Sequence, residues 1–321
     1  MSIREALPKN PFVRIKSRYL VFATSLAVNL LILLPLWTFE LAGWLPKMLD
    51  PVVVTVLDIA SRCAISGAIL WMLRSEGLKL SYLFGRGLFG RGLSGQGLSG
   101  RRLSSSNPLR FSLGYGLLLV LSLLVFSLGS ASVFFYLLSL ALPDYAGFIL
   151  ENTSVLEDIE SQIPWLYDGL ILLLVLAIAP VVEELIFRGV LLQRWATKWG
   201  MPKALAASSV LFGLLHLNNP VGLTLFGLVM GLLYVRTRSL WVPIVCHALN
   251  NLAAVGIAFL SGMVASDEVA VTLEDVQADW WVGLVLMLVA MPFLFRFVRQ
   301  SWPKLGAAIP YVANSMLDSN V

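Results

Sequence analysis

The sequence predicts an all-α membrane protein, a polytopic bundle of about eight transmembrane helices with both termini in the cytoplasm. Of its 321 residues, 58% are hydrophobic and only 13% are charged, whereas a soluble domain carries roughly a quarter charged residues. The apolar residues fall in blocks of about 20, the length that crosses a bilayer as a helix. These observations exclude a water-soluble globule.

The first apolar block, residues 19–38, follows five basic residues among the first eighteen. A signal peptide would begin in the same way, but its apolar region is shorter, and no small-residue cleavage pattern follows this block. We therefore expect a retained signal-anchor helix with its N-terminus in the cytoplasm. Apolar blocks predict the further helices at 52–73, 111–142, 169–190, 202–217, 221–235, 240–260 and 281–298.

The basic residues test this helix count independently, because Lys and Arg concentrate in the cytoplasmic segments of membrane proteins. With eight helices, 21 of the 23 Lys and Arg residues lie in predicted cytoplasmic segments or at the cytoplasmic ends of helices. The exceptions are Lys47, in an outer loop, and Arg62, within the second helix. Arg62 lies four residues after Asp58, so the two can pair on one helix face.

The predicted helices divide the chain into segments. Residues 74–110 contain the repeat FGRGL, FGRGL, SGQGL and SGRRL, which favours a flexible basic cytoplasmic loop. This loop is either a solvated linker that enforces topology or a binding segment for anionic lipid headgroups. The segments are a basic N-terminus at 1–18, two membrane helices at 19–73, this loop, a membrane core at 111–298 with its candidate site at 169–258, and a cytoplasmic tail at 299–321.

Two adjacent carboxylates interrupt the fourth helix. Successive residues of a helix turn by about 100°, so Glu183 and Glu184 point in different directions. Glu184 can pair with Arg188 four residues later. Glu183 then has no local partner, which is typical either of a catalytic carboxylate or of a solvated charge at a helix end.

The chain contains two histidines, His216 and His247, and both fall inside predicted helices. Each has a companion one turn away, Phe212 before His216 and Asn251 after His247. Polar groups at these positions should face the interior of the bundle. A rise of 1.5 Å per residue places Glu183 about 9 Å and His216 about 20 Å from the cytoplasmic boundary, a separation that boundary errors and tilt can close.

The patterns EExxxR, FxxxH and HxxxN, in this order on separate helices, resemble the three motifs of the CPBP family. These are the CAAX protease and bacteriocin-processing, or Abi, intramembrane proteases. The resemblance implies an eight-helix core in which Glu183 and His216 activate water. It further implies that His247 and Asn251 form an oxyanion hole, and that Glu184 and Arg188 hold the site together.

Peptide hydrolysis by these groups needs no covalent nucleophile and, in our interpretation, no cofactor. Zn²⁺ bound by Glu183, His216 and His247 is the alternative, although the HExxH pattern of zincins is absent. We expect a membrane-associated or lipidated protein or peptide as substrate, the lipid bilayer as surroundings, and no nucleic-acid partner. The expected location is a prokaryotic plasma membrane. The alternatives are a proteolytically silent membrane scaffold or chaperone and, less favoured, a proton-coupled transporter, against which the lack of an inverted repeat counts.

Overall fold

The structure, a computed structural model, describes residues 10–15, 50–85, 113–152, 162–216, 218–264 and 272–318. In these ranges the chain is helical and contains no strand. A 3-10 turn spans Pro11–Val13. The helices are α1 (Pro51–Ser75), α2 (Leu80–Phe84), α3 (Leu113–Ala141), α4 (Pro143–Asn152), α5 (Pro164–Trp199), α6 (Met201–Leu214), α7 (Pro220–Thr237), α8 (Trp241–Val264), α9 (Leu273–Ser301) and α10 (Pro310–Asp318).

The polytopic helical bundle predicted from the sequence is confirmed. Of the described helices, α1, α3, α5, α7, α8 and α9 are long and apolar enough to cross a membrane, and α6 is a shorter apolar helix of 14 residues. Seven of the eight predicted helices are thus present. The first, at 19–38, and most of the repeat segment lie outside the described residues. The predicted pair is also present, with Arg62 Nε 2.9 Å from Asp58 Oδ1.

Several helix bounds differ from those predicted, because local capping decides where a helix begins. Helix α9 begins at Leu273 rather than at 281, since Thr272 and Asp275 form a capping box that satisfies free backbone N–H groups. Helix α2 lies inside the segment that was predicted to be a flexible loop. Helix α6 ends at Leu214, three residues before the predicted end.

Helix α5 is not uniform along its length, and its irregular parts flank the two carboxylates. It is π-helical at Leu174–Ile178 and again at Leu185–Leu191, with regular α-helix at Ala179–Glu184 between them. Pro180 follows the first π-helical segment, and proline has no N–H to continue the α-helical bonding. Single π turns inside α-helices recur at functional sites.

Close packing between helices holds the bundle together. Helix α3 packs along α9, where Gly129 and Gly283 face one another so closely that a Cβ on either would collide with the carbonyl of the other. Helices α6 and α7 pack together as a hairpin, and α8 contacts both α7 and the middle of α5. The functional side chains predicted from the sequence all lie on α5, α8 and this hairpin.

Candidate active site

The centre of the site is a buried ion pair on α5. Arg188 Nη1 donates to Glu184 Oε1 at 2.8 Å, and the Glu184 and Arg188 side chains are 0% and 3% exposed. Arg188 Nη2 donates to the carbonyl of Gly227 on α7 at 2.8 Å. The guanidinium also lies over the ring of Phe212, 5.0 Å from its centroid. The i,i+4 pair expected from the sequence is therefore present and connects α5 to α6 and α7.

Glu184 also contacts the histidine of α8. Its Oε1 atom lies 3.0 Å from Nδ1 of His247, a buried residue. Because this oxygen already accepts from Arg188, it must also act as acceptor toward the imidazole, so Nδ1 of His247 carries the proton. One carboxylate oxygen thus fixes the orientation of His247 and leaves its Nε2 atom facing away from the ion pair.

Glu183 faces both histidines. Its Oε2 atom lies 4.0 Å from Nε2 of His216 and 3.9 Å from Nε2 of His247. The Glu183 side chain is 20% exposed and that of His216 is 32% exposed, whereas His247 is 6% exposed. The structure therefore brings Glu183, His216 and His247 to one partly open point. The membrane depths predicted from the sequence had placed Glu183 and His216 apart.

His216 is not inside a helix, which corrects the sequence prediction. Helix α6 ends at Leu214, and the His216 N–H donates to the carbonyl of Gly213 at 3.0 Å. Its Nδ1 atom lies 2.7 Å from the carbonyl of Phe212, and its ring stacks on that of Phe212 at 4.6 Å. A carbonyl only accepts, so Nδ1 is protonated and, in the neutral ring, Nε2 offers a lone pair toward Glu183.

Asn251 lies one turn after His247 on α8, as predicted, but its amide has a different partner. Its Nδ2 donates to the carbonyl of Val175 at 2.9 Å, inside the first π-helical segment of α5. One of the two amide hydrogens is therefore used to hold α5 against α8. Only the second amide hydrogen of Asn251 could therefore serve, together with His247, as the expected oxyanion donor.

Three further residues, which belong to none of the sequence motifs, shape the site. Gly227 supplies the carbonyl that binds Arg188, and Phe226 packs edge-on against the His247 ring at 4.8 Å. Asn219 caps α7 immediately after the His216 turn. For Asn219 a signal was visible, because Asn followed by Pro is typical of a helix start. For the other two the sequence holds no comparable signal, since their roles depend on tertiary packing.

The three groups at this point have the donor chemistry of a zinc site, namely two imidazole nitrogens and one carboxylate oxygen. The two separations from Glu183 Oε2 are somewhat wider than those between the ligands of a bound zinc. Ligand atoms at about 2.0–2.1 Å from a tetrahedral zinc lie roughly 3.4 Å apart, less than the 3.9 and 4.0 Å found here. Across the described ranges, no group of three or more His, Cys, Asp and Glu residues is arranged to hold a metal ion.

The fold and the site together define a polytopic membrane protein with a buried polar centre of carboxylates, arginine and histidines. Residues 165–253 match the family model described as "Type II CAAX prenyl endopeptidase Rce1-like". These residues carry all three motifs, so the resemblance to the CPBP family predicted from the sequence is confirmed over this segment.

A curated relative supports the same assignment. The chain is 32% identical over 103 residues to a Bacillus subtilis (strain 168) protein described as "Putative membrane peptidase YdiL". This match covers 32% of the chain and spans 40% of the length of the relative. No solved structure matches the chain.

Proposed function

We propose that the protein is an intramembrane endopeptidase of the CPBP type, in which Glu183 and His216 activate a water molecule. The observation that carries this proposal is the convergence of Glu183 Oε2 with the Nε2 atoms of His216 and His247 at 4.0 and 3.9 Å. The peptidase relative and the endopeptidase family model support the reaction class.

A separation of 4.0 Å is too long for a direct hydrogen bond but suits a bridging water. Such a water donates one hydrogen to Glu183 Oε2 and the other to the lone pair of His216 Nε2. Glu183 takes a proton as the water oxygen bonds to the scissile carbonyl carbon, which gives a tetrahedral oxyanion. The carbon–nitrogen bond then breaks, and the leaving amine receives the proton from Glu183.

The oxyanion would be stabilised by the remaining polar hydrogens of α8. His247 can donate from Nε2 only as the imidazolium, because its Nδ1 proton is bound to Glu184. A neutral His247 with its proton on Nδ1 would present a lone pair to the oxyanion. We therefore assign the role to the His247 imidazolium together with the second amide hydrogen of Asn251. Preorganised donors of this kind are worth about 3 to 4 kcal/mol each.

The proposed substrate is a membrane-associated or lipidated peptide, since the polar centre lies on apolar helices long enough to span a bilayer. The family model names a CAAX prenyl endopeptidase, which makes a prenylated CAAX peptide the first substrate to test. We propose that the reaction proceeds without a metal ion, in a prokaryotic plasma membrane.

The test compares wild type with Glu183→Gln in purified form, on a prenylated CAAX peptide and a library of membrane peptides, with products identified by mass spectrometry. Glu274→Gln is the matched control, because this glutamate lies in the first turn of α9, away from the site, and is exposed. Cleavage by wild type and by the control, lost in Glu183→Gln, is the expected result. Equal cleavage by Glu183→Gln would exclude the proposed role. A folded wild type that cleaves nothing would favour a silent scaffold.

A further inference from the structure

The turn between α6 and α7 places irregular backbone at membrane depth. Helix α6 has 14 residues, about 21 Å of rise, against a hydrocarbon core about 30 Å thick. If α6 begins at the cytoplasmic face, as its flanking basic residues predict, the turn after it lies within the bilayer. Irregular backbone at such depth persists only where protein groups satisfy its polar atoms. This turn carries His216.

One side chain at the end of this turn, Asn219, is 8% exposed and makes four hydrogen bonds. Its Nδ2 donates to the carbonyl and to the hydroxyl of Ser127 on α3, at 2.9 and 2.8 Å. Its Oδ1 accepts from the hydroxyl of Ser130, also on α3, at 2.8 Å and from the N–H of Gly222 at 3.1 Å. The amide is thus fully committed, and it joins α3 to the first turn of α7.

The backbone of Asn219 extends this anchor to His216. Its N–H donates to the His216 carbonyl at 3.1 Å, and its own carbonyl accepts from Leu223 at 3.0 Å. The packing leaves little space for movement, because a Cβ on Gly222 would collide with Ser130 and with the Asn219 amide. Toward α6, the His216 ring stacks on Phe212, and its Nδ1 atom bonds to the Phe212 carbonyl. The other side of the turn is held by Asn219.

We propose that Asn219 is a positioning residue that fixes the His216 turn to α3 and thereby directs Nε2 of His216 at Glu183. Asn219 touches neither substrate nor water in this assignment and acts only through His216. The effect of Asn219 on catalysis rests on the proposed function. Its effect on the orientation of His216 does not rest on that function and can be measured separately.

The measurement uses the fact that the chain contains only two histidines. The NMR spectrum of protein labelled with ¹⁵N-histidine contains signals from two imidazole rings. The signals that disappear in a His247→Gln variant belong to His247, which assigns the others to His216. In wild type, neutral His216 should carry its proton on Nδ1, as its hydrogen bond to Phe212 requires. In Asn219→Ala, the His216 spectrum should shift toward a mixture of tautomers, while the His247 spectrum stays unchanged.

Two further variants keep the test decisive. Ser130→Ala removes one of the four amide contacts and should change the His216 spectrum in the same direction by a smaller amount, even if Asn219→Ala fails to fold. Asn314→Ala is the matched control, because this amide also donates two hydrogen bonds, to the carbonyls of Tyr82 and Arg238, away from the site. A His216 spectrum that is unchanged in both Asn219→Ala and Ser130→Ala would overturn the proposal, as would an equal change in Asn314→Ala.

Peptide cleavage gives the second measurement. Asn219→Ala should lower kcat by about 10- to 100-fold with KM within about twofold, because misplacing a catalytic group by about 1 Å costs up to this much. An unchanged kcat together with a changed His216 spectrum would overturn the catalytic part. If wild type cleaves no peptide, the proposed function fails, and the spectra still decide whether Asn219 positions His216.

Discussion

Nδ1 of His247 donates a hydrogen bond to Oε1 of Glu184 at 3.0 Å, and the same oxygen accepts from Arg188 at 2.8 Å. The second oxygen, Oε2, is buried without a hydrogen-bond partner among the described residues. Glu184 therefore balances a buried cation and sets the tautomer of His247 through a single atom. This arrangement gives the two adjacent glutamates separate tasks, one holding the site and the other facing its open side.

We expect Glu184→Gln to lower the thermal stability of the protein in detergent. The variant leaves Arg188 buried without its counter-charge, and breaking a buried pair costs roughly 3–5 kcal/mol. Glu183→Gln is nearly isosteric and leaves the buried pair of Glu184 and Arg188 in place. It should abolish cleavage and leave the unfolding temperature almost unchanged. Equal losses of stability in the two variants would show that the tasks have been assigned wrongly.

Asn251→Ala should be more destabilising than Asn250→Ala, although the two residues are adjacent on α8. Asn251 donates to the partly buried Val175 carbonyl in the π-helical segment, and losing one such hydrogen bond costs about 0.5–1.5 kcal/mol. Asn250 is more buried than Asn251, but its Oδ1 lacks a hydrogen-bond partner within the described residues. Thermal unfolding of both variants gives the comparison. The opposite order would mean that the Val175 contact does not hold α5 against α8.

The sequence predicted those parts of the site that depend on a single helix. The spacing of Glu184 and Arg188 is local, and the ion pair is present at 2.8 Å. The approach of Glu183 to His216 was harder to predict, because a rise of 1.5 Å per helical residue placed them about 11 Å apart in depth. They approach to 4.0 Å, since α6 ends early and His216 lies in a turn anchored by Asn219.

The remaining contacts could not be read from the sequence, because they join groups that are distant along the chain. The bond between His247 and Glu184 requires α8 to pack on α5. The partner of Asn251 is a carbonyl in a π-helical segment, which no residue pattern predicted. The start of α9 is different, since Thr272 and Asp275 have the spacing of a capping box. That signal was present in the sequence and was outweighed by the apolar pattern.

The orientation of the bundle remains a prediction from its basic residues. Reporter fusions after Arg102 and after Leu305 should both report the cytoplasm, and a fusion after Ser161 should report the opposite side. The reason is that 21 of 23 basic residues fall on one side when eight helices are assumed. The Leu305 fusion tests the orientation of α9, which ends at Ser301. Fusions at Arg102 and Ser161 that report the same side would contradict the eight-helix topology.

The metal content of the purified protein distinguishes two possible roles of Glu183, His216 and His247, which are water activation and zinc binding. The spacing of Glu183, His216 and His247 favours a bridging water, so elemental analysis of the purified protein should find no stoichiometric zinc, and chelators should leave cleavage intact. His247→Ala should then retain residual activity, reduced about a hundred- to a thousandfold, with substrate binding preserved. An oxyanion donor contributes to the rate, whereas a catalytic metal ligand is closer to a requirement.

The zinc alternative predicts a different set of results for the same variants. Loss of a ligand in His216→Ala or His247→Ala would lower the metal content along with the activity. Stoichiometric zinc in wild type that falls in both variants, with activity lost to chelators and restored by Zn²⁺, would overturn the metal-independent reaction. Asn314→Ala is a suitable control, because its amide binds carbonyls at Tyr82 and Arg238 and supplies no group to the site. Its metal content and activity should equal those of wild type on either hypothesis, so any loss there would reflect handling of the protein rather than the site.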